Sequence, residues 1–300
     1  MQLIEVSGDR RYLSVHRGFL SIKRGEVELG KVAFDNILGV IGAGHGITLS
    51  QSLLVRLANL GIPYVVCDQR FSPVSVTWPL SGHHNQSKVV RKQLCASLPL
   101  KKRIWQSLVR AKIQMQAQVL ITLGQESTAL TRMIAKVKSG DPENLEAQAA
   151  RIYWGKLFGP DFRRSREGAT PNDLLNYGYT IFRSTVARAV VACGLHPSVG
   201  VCHRNQYNPF VLVDDLLEPF RPFVDLKVKT ISASHNALNQ ECKHALVELL
   251  HVSVSAEQGS TSLLKQVQHL ARSISHSFLE GKPALVLPKP TNIELTTLLN

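Results

Sequence analysis

SGHHNQS, at residues 81–87, separates two parts of the chain that differ in hydrophobic periodicity. Small polar residues cluster in this stretch and the apolar repeat stops, which is typical of a connection between domains. The stretch therefore predicts a linker at residues 81–87, between one domain at residues 1–80 and a second at residues 88–300.

The part before the linker has the alternating, β-branched pattern of short strands. RYLSVHR at residues 11–17 and FLSIKRG at residues 19–25 are the clearest examples, and further strands are expected at residues 26–34, 36–42, 46–50, 63–67 and 74–78. One helix is predicted from Gln51, with Ser50 as its N-cap and Gly61 as its end. We expect a small β-rich, β-sandwich-like domain with one helix.

The part after the linker has helical periodicity, broken at glycines and turn clusters. Helices are predicted at residues 87–98, 101–124, 126–140, 142–159, 172–194, 238–250 and 261–281. The predicted fold class is therefore α+β with two domains, the second larger and all-α.

The composition describes a basic globular protein. The 300 residues carry a net charge of +13, and 44% are hydrophobic. No run approaches the ~18 apolar residues of a membrane span, and Glu5 and Asp9 interrupt the region where a secretory signal would need apolar residues. We expect a cytoplasmic protein with no membrane partner. Its excess positive charge favours a polyanionic partner, of which nucleic acid is the first candidate.

Five cysteines without a Cys-x-x-Cys pair argue against a disulfide framework and a structural zinc site.

An acid-free segment, from Gln69 to Gln125, contains no Asp or Glu. Its bases are Arg70, Lys88, Arg91, Lys92, Lys101, Lys102, Arg103, Arg110 and Lys112. Such one-sided charge is typical of a surface that follows a phosphate backbone, and the alternative is a solvated helix face balanced by acids elsewhere. A loop with further arginines could add contacts or simply be solvated. The predicted DNA-binding residues are Lys88, Arg91, Lys92, Lys101, Lys102, Arg103, Arg163, Arg164 and Arg166.

An acidic segment, DDLLEPFRPFVD at residues 214–225, stands out in so basic a chain. If it is helical up to Pro219, Asp215 and Glu218 share one face and repel each other. A divalent cation between them would remove this cost, and carboxylate oxygens suit Mg²⁺ or Mn²⁺. The alternative is a helix N-terminus, where acids favour the dipole.

Two further residues could contribute to such a site. His203 lies in a Gly-, Pro- and Asn-rich run that leads into the acidic segment, although a single histidine is more often structural. Glu146 lies in GDPENLEAQAARIYW, where Asp141 can cap a helix and Pro142 suits its first turn. Periodicity alone cannot place Glu146 beside His203.

Four stretches carry a resemblance to a known family. They are LEAQAARIYW at residues 145–154, NYGY at residues 176–179, GLHPSVGVCHRNQYNPF at residues 194–210 and DLLEPFRPFVD at residues 215–225. The chain resembles the CRISPR-associated endonuclease and integrase of spacer acquisition along nearly its whole length. It is most similar to the type II subgroup, which is encoded beside a single-protein RNA-guided effector nuclease.

The resemblance implies a site as well as a fold. Glu146, His203 and Glu218 match the metal ligands of the family, with Mg²⁺ or Mn²⁺ as the cofactor. Asp215 matches an acid one helical turn earlier, while Asp214 has no firm counterpart. The predicted catalytic residues are Glu146, His203, Glu218, Asp215, Asn176 and Tyr177.

The implied activity is insertion of short foreign-DNA duplexes into the CRISPR array by attack of 3′-hydroxyls on phosphodiester bonds. The implied partners are double-stranded prespacer and repeat DNA, a second copy of the chain bound through the β-rich domain, a small second adaptation protein and the effector nuclease. A stand-alone endonuclease for branched DNA and a noncatalytic DNA-binding scaffold remain as alternatives.

Overall fold

A computed structural model describes residues 2–67, 73–77, 79, 85–165, 168–203, 205–256 and 259–289. The chain divides into two compact units, residues 1–84 and residues 85–300. This division lies within the predicted linker, most of which is outside the described residues. The first helix of the second unit already begins at Gln86, so the last two residues assigned to the linker are helical.

The first unit contains two four-stranded sheets. Their strand orders are β1-β5-β7-β8 and β4-β3-β2-β6, and the β1–β5, β5–β7 and β2–β6 pairs are parallel. The opening residues form a strand that was not predicted, although they alternate as a strand should. The strands are β1 (Gln2–Ser7), β2 (Tyr12–His16), β3 (Phe19–Arg24), β4 (Val27–Ala33), β5 (Ile37–Ala43), β6 (Thr48–Leu49), β7 (Tyr64–Cys67) and β8 (Pro73–Thr77).

Among the described residues this unit has one α-helix, α1 (Gln51–Asn59). The Ser50 hydroxyl accepts a hydrogen bond from the Leu53 amide as the predicted N-cap. Leu13 of β2, Val40 of β5 and Leu57 of α1 belong to one buried cluster. Both sheets and the helix therefore contribute side chains to one core.

The second unit is helical, as predicted, with a 3-10 turn (Glu218–Phe220) inside the acidic segment. Its helices are α2 (Gln86–Leu94), α3 (Leu98–Thr122), α4 (Thr128–Lys136), α5 (Leu145–Phe158), α6 (Asn172–Ala192), α7 (Val211–Leu217), α8 (Arg221–Ile231), α9 (Gln240–Glu248) and α10 (Leu263–Glu280). No helix among the described residues is long and apolar enough to cross a membrane.

The prediction of an all-α second domain is wrong in one place. Strands β9 (Ser253–Ala256) and β10 (Gly259–Ser262) pair as an antiparallel hairpin before α10. Their Ser, Thr and Val residues favour extended backbone over helix, so the last predicted helix begins two residues later than expected.

Helix α3 organises the second unit. It packs against α4, α5, α8 and the 3-10 turn, and Ile104, Leu108 and Ile113 are fully buried along it. The Ser97 hydroxyl accepts from the Leu100 amide at its start. Because α3 contacts both the helix that carries Glu146 and the turn that carries Glu218, it can bring these distant acids together.

Candidate active site

Glu146 lies in the first turn of α5, where two polar side chains fix the helix start. The Asp141 carboxylate accepts from the Leu145 and Glu146 amides at 2.9 and 3.0 Å, and Asn144 accepts from Ala147 at 3.4 Å. Capping by Asp141 was expected. Asn144 is the N-cap, however, in the left-handed conformation with φ 51°, and Pro142 lies before the helix rather than in its first turn.

Glu218 lies in the 3-10 turn between α7 and α8. The helical path does not end at Pro219 but continues through this turn into α8. The Glu218 side chain is buried, and Arg221 Nε donates to its Oε1 at 2.8 Å. Burial raises the pKa of Glu218, but Arg221 and Lys112 outweigh it and bring the pKa to about 2. Glu218 is therefore a carboxylate at neutral pH.

Lys112 joins these two acids. Its Nζ lies 2.6 Å from Glu146 Oε1 and 2.5 Å from Glu218 Oε2, and the side chain is 11% exposed. Burial alone lowers the pKa of Lys112, but the Glu218 and Glu146 carboxylates raise it above its ordinary value. In the sequence, Lys112 belongs with the bases of the acid-free segment. The helical phase of α3 turns it inward, so it pairs with these two acids instead of lying on an exposed face of the helix.

His203 is held by Asp215, which is fully buried. His203 Nδ1 lies 2.5 Å from Asp215 Oδ1, and the Val201 and Cys202 amides donate to Oδ2 at 2.6 and 3.1 Å. The imidazole and the Trp105 ring pack edge to face, with ring centroids 5.2 Å apart. The hydrogen bond to Asp215 raises the pKa of His203 against the effect of burial, and the nearby Glu146 and Glu218 raise it further.

Gly200 makes this loop conformation possible. A Cβ at this position would lie 2.5 Å from Val211 Cγ1 and 3.0 Å from Asp215 Oδ2. Any side chain would therefore push the loop away from Asp215, and His203 would move with it.

Asp214 has a different partner from its neighbour Asp215. It accepts two bonds from Arg183, from Nε at 2.7 Å and from the terminal nitrogen at 2.9 Å, and one from Asn208 Nδ2 at 2.6 Å. Asp214 thus fixes the far end of the loop that carries His203. Of the two aspartates, Asp215 is the one that contacts the imidazole.

In the NYGY motif, Tyr179 lines the cavity described below, whereas the predicted catalytic residues Asn176 and Tyr177 do not. Asn176 Oδ1 accepts from Arg164 at 2.6 Å, whereas the Tyr177 ring lies below Lys243 Nζ at 5.3 Å. Tyr179 instead is buried and donates to Asp225. Gly178 lets α6 approach α8 closely, since a Cβ there would lie 2.5 Å from Val224 Cγ1.

An open cavity of about 340 Å³, here called the active-site cavity, lies beside the carboxylates. Arg164 and Arg221 lie over the Tyr179 ring, 5.2 and 4.6 Å from its centroid. Tyr179 and Arg221 were not predicted as site residues, although both belong to the motifs that carry the family resemblance. Arg164 was predicted, as a DNA-binding residue. The lining residues include Lys112, Gln116, Arg164, Tyr179, Glu218, Arg221 and Asp225.

The carboxylates of Glu146 and Glu218 and the imidazole of His203 are ligand types that suit a hard divalent cation, but their present arrangement does not enclose one. Within the described part of the chain, no three His, Cys, Asp or Glu residues form a group that could hold a metal ion. Two carboxylates already meet at one cationic nitrogen, that of Lys112, and His203 lies close enough for both to act on its pKa. Oxygen ligands with one imidazole suit Mn²⁺ or Mg²⁺.

The predicted DNA-binding residues fall into two groups. Six of them, here called the basic surface, are exposed or half-buried on α2 and the first two turns of α3: Lys88, Arg91, Lys92, Lys101, Lys102 and Arg103.

The other arginines differ in their surroundings. Arg163 is exposed but donates to the Pro160 and Phe162 carbonyls, and Arg164 is half-buried with bonds to Asn172 and Asn176. Arg110, another base of the acid-free segment, donates to the Val137 carbonyl. Arg70 and Arg166 lie outside the described residues.

Fold and site together define a two-unit α+β protein whose paired acids and histidine all come from the helical unit. A family model described as "CRISPR associated protein Cas1" matches residues 4–246. The chain is 35% identical over 275 residues to a CRISPR-associated endonuclease Cas1 of Neisseria meningitidis, covering 88% of this chain and 90% of the relative. The chain therefore belongs to the Cas1 family, and the resemblance inferred from its motifs is confirmed.

Solved structures agree on the fold. A casposase bound to an integration product superposes with a TM-score of 0.79 at 22% identity, covering 95% of this chain and 92% of that chain. A Cas6-RT-Cas1–Cas2 complex gives a TM-score of 0.76 at 19% identity, covering 96% of this chain and 36% of that chain.

Proposed function

We infer that this Cas1 protein is a CRISPR adaptation integrase and endonuclease, and we propose that its chemistry depends on a divalent metal. The reaction would insert a short duplex into the CRISPR array by attack of a DNA 3′-hydroxyl on a phosphodiester bond, whereas attack by water would give cleavage. The observation that carries the proposal is the meeting of Glu146 and Glu218 at one cationic nitrogen, with His203 close by.

Glu146, Glu218 and His203 would hold the metal. His203 uses Nδ1 toward Asp215, which leaves Nε2 for a metal, and such a carboxylate–histidine pairing is usual for metal-binding histidines. When bound, Mg²⁺ or Mn²⁺ would lower the pKa of the attacking hydroxyl or water and stabilise charge on the phosphate.

The protein's own residues position these groups. Asp215 fixes the tautomer and orientation of the imidazole, Trp105 packs edge to face with it, and Arg221 fixes the Glu218 carboxylate. Arg164 lines the active-site cavity, where its guanidinium can bind a phosphate of the DNA. The acids are therefore oriented before DNA arrives, which lowers the cost of reaching the reacting geometry.

DNA and protein partners follow from the same proposal. The basic surface would bind the backbone of prespacer or repeat DNA, with Arg163 and Arg166 as further contacts. The small second adaptation protein, of the Cas2 type, is supported by the similarity to a chain from a complex that contains Cas2. A homodimer through the β-rich unit, contact with the effector nuclease and a cytoplasmic location complete the proposal.

The test is strand transfer of a labelled short duplex into a repeat-containing plasmid, with and without the small adaptation partner. We expect joining in Mg²⁺ or Mn²⁺, none in EDTA, and a loss of at least about a hundredfold in Glu146→Ala, His203→Ala and Glu218→Ala. DNA affinity should remain within about threefold, because the basic surface is untouched.

Glu143→Ala is the matched control, since this exposed glutamate also pairs with a lysine but lies away from the cavity. Cleavage of branched DNA without joining would favour the stand-alone endonuclease. Binding without any chemistry would favour the scaffold, and activity in Glu218→Ala would show that the proposed site is wrong.

A further inference from the structure

Lys112 is the feature of the site that the proposed chemistry does not use. Its ammonium nitrogen contacts one oxygen of Glu146 and one of Glu218, and the side chain is almost entirely removed from solvent. An ammonium group buried at this depth is costly unless its charge is matched. The two carboxylates match it, and it in turn screens their mutual repulsion.

A metal between Glu146 and Glu218 would compete with this ammonium. Both Glu218 oxygens are already paired with cations, Oε1 with Arg221 and Oε2 with Lys112, and a divalent ion placed beside the ammonium group would be repelled by it. Metal binding at these acids therefore requires the Lys112 side chain to move.

The structure offers a place for the displaced ammonium. Gln116 lies one helical turn after Lys112 on α3, on the same face, and both line the active-site cavity. Gln116 is 2% exposed, and its Oε1 is buried without a hydrogen-bond partner among the described residues. A buried carbonyl oxygen without a partner destabilises the folded state, so this oxygen is a ready acceptor for a donor that enters the cavity.

We propose that Lys112 is a positioning residue that serves as the internal counterion of Glu146 and Glu218 and is displaced toward Gln116 Oε1 when a metal binds. This inference rests on the proposed metal site. It assigns two states to the Lys112 side chain. Without metal, the ammonium group keeps Glu146 and Glu218 together. With metal bound, the ammonium group is hydrogen-bonded to Gln116 Oε1, one turn along the helix.

The test measures Mn²⁺ affinity of the DNA-free protein by calorimetry and by electron paramagnetic resonance, which needs no activity. Lys112→Met should bind Mn²⁺ about tenfold more tightly than the unmodified chain, because no ammonium has to be displaced. The same variant should melt at a lower temperature without metal, because the paired acids then repel each other. Lys112→Gln, neutral but able to donate, serves if Lys112→Met does not fold.

Gln116→Leu should weaken Mn²⁺ binding about threefold or more, because the displaced ammonium loses its acceptor. In the Lys112→Met background the same change should have no effect, which a double-mutant cycle detects. Lys138→Met is the matched control: it breaks an exposed lysine–glutamate pair that is also 2.5 Å long, and Mn²⁺ affinity should not change.

Equal or weaker Mn²⁺ binding by Lys112→Met, with binding intact in the unmodified chain, would overturn the inference and leave the proposed function standing. An effect of Gln116→Leu that persists without Lys112 would overturn the acceptor role. Absence of Mn²⁺ binding in the unmodified chain and in both Lys112 variants would overturn the metal site itself.

Discussion

The acidic segment and the acid-free segment differ in where the structure puts their charges. Asp215, Glu218 and Asp225 are buried, each with its own donors, whereas the six bases of the basic surface remain accessible to solvent. Lys112 is the exception, because it belongs to the acid-free segment but lies among the acids. A run of like charges in the sequence therefore does not show whether the side chains lie on an exposed surface or inside a site. The burial of each side chain in the structure does.

The largest effect is expected at Asp215. Asp215→Ala removes a buried acceptor and leaves the Val201 and Cys202 amides and the imidazole without their partner. We expect the free energy of unfolding to fall by about 3 kcal/mol or more. Asp214→Ala, which breaks a partly exposed pair with Arg183, should cost about 1 kcal/mol. Urea unfolding followed by circular dichroism measures both, and equal losses would contradict the contrast between the neighbouring acids.

An intermediate effect is expected at Asp225. Burial raises the pKa of Asp225 to about 7, although the hydrogen bond from Tyr179 and the charges of Arg221 and Lys112 oppose this. Because this pKa lies above the ordinary aspartate value of about 4, the folded state binds the proton more tightly. Protonated Asp225 therefore stabilises the folded state at low pH, and this stabilisation is lost as the pH rises from about 4 to 7.

Asp225→Asn removes this titration but keeps the shape of the side chain. The variant should therefore lose less stability than the unmodified chain as the pH rises from 4 to 8. Denaturant unfolding at several pH values measures this. Parallel stability curves for the two proteins would show that the pKa of Asp225 is the same in the folded and the unfolded state.

The smallest effect on stability is expected on the basic surface. Charge reversal at Lys101, Lys102 and Arg103 should leave the free energy of unfolding within about 0.5 kcal/mol, because these side chains are accessible to solvent. The plot of log DNA affinity against log salt should flatten by about 0.9 for each phosphate that the protein no longer neutralises. Reversal of Lys136, Lys265 and Lys282, three exposed lysines elsewhere, controls for net charge. An unchanged slope would mean that the basic surface is only a solvated face.

The fold could be predicted from the sequence because its signals are local. Alternation, helical periodicity and caps such as Ser50 act over a few residues, and these predictions match the structure. The β9–β10 hairpin was missed although Val252, Val254 and Ala256 alternate with serines, because its second strand, GSTS, has no apolar residue to repeat. Strand β1 was missed although its alternation was there to be seen.

The site could be predicted only in part. Glu146, His203 and Glu218 were chosen through the family resemblance, since no spacing rule connects α5 with the loop after α6. Lys112 was counted among the bases of the acid-free segment but not predicted as a site residue, because its inward direction depends on how α3 packs. Asp141 was predicted correctly as a capping acid, because a helix start has a signature within four residues.

Helix α3 joins the two segments compared above, since it carries Lys101 near its start and Lys112 near its middle. With a rise of about 1.5 Å per residue, these two residues are about 16 Å apart along the helix axis. A strand of DNA advances about 3.4 Å per nucleotide, so the same distance spans about five nucleotides. If DNA binds as proposed above, the length of this one uninterrupted helix would set the distance between the reacting end of a DNA strand and the point where the basic surface holds its backbone.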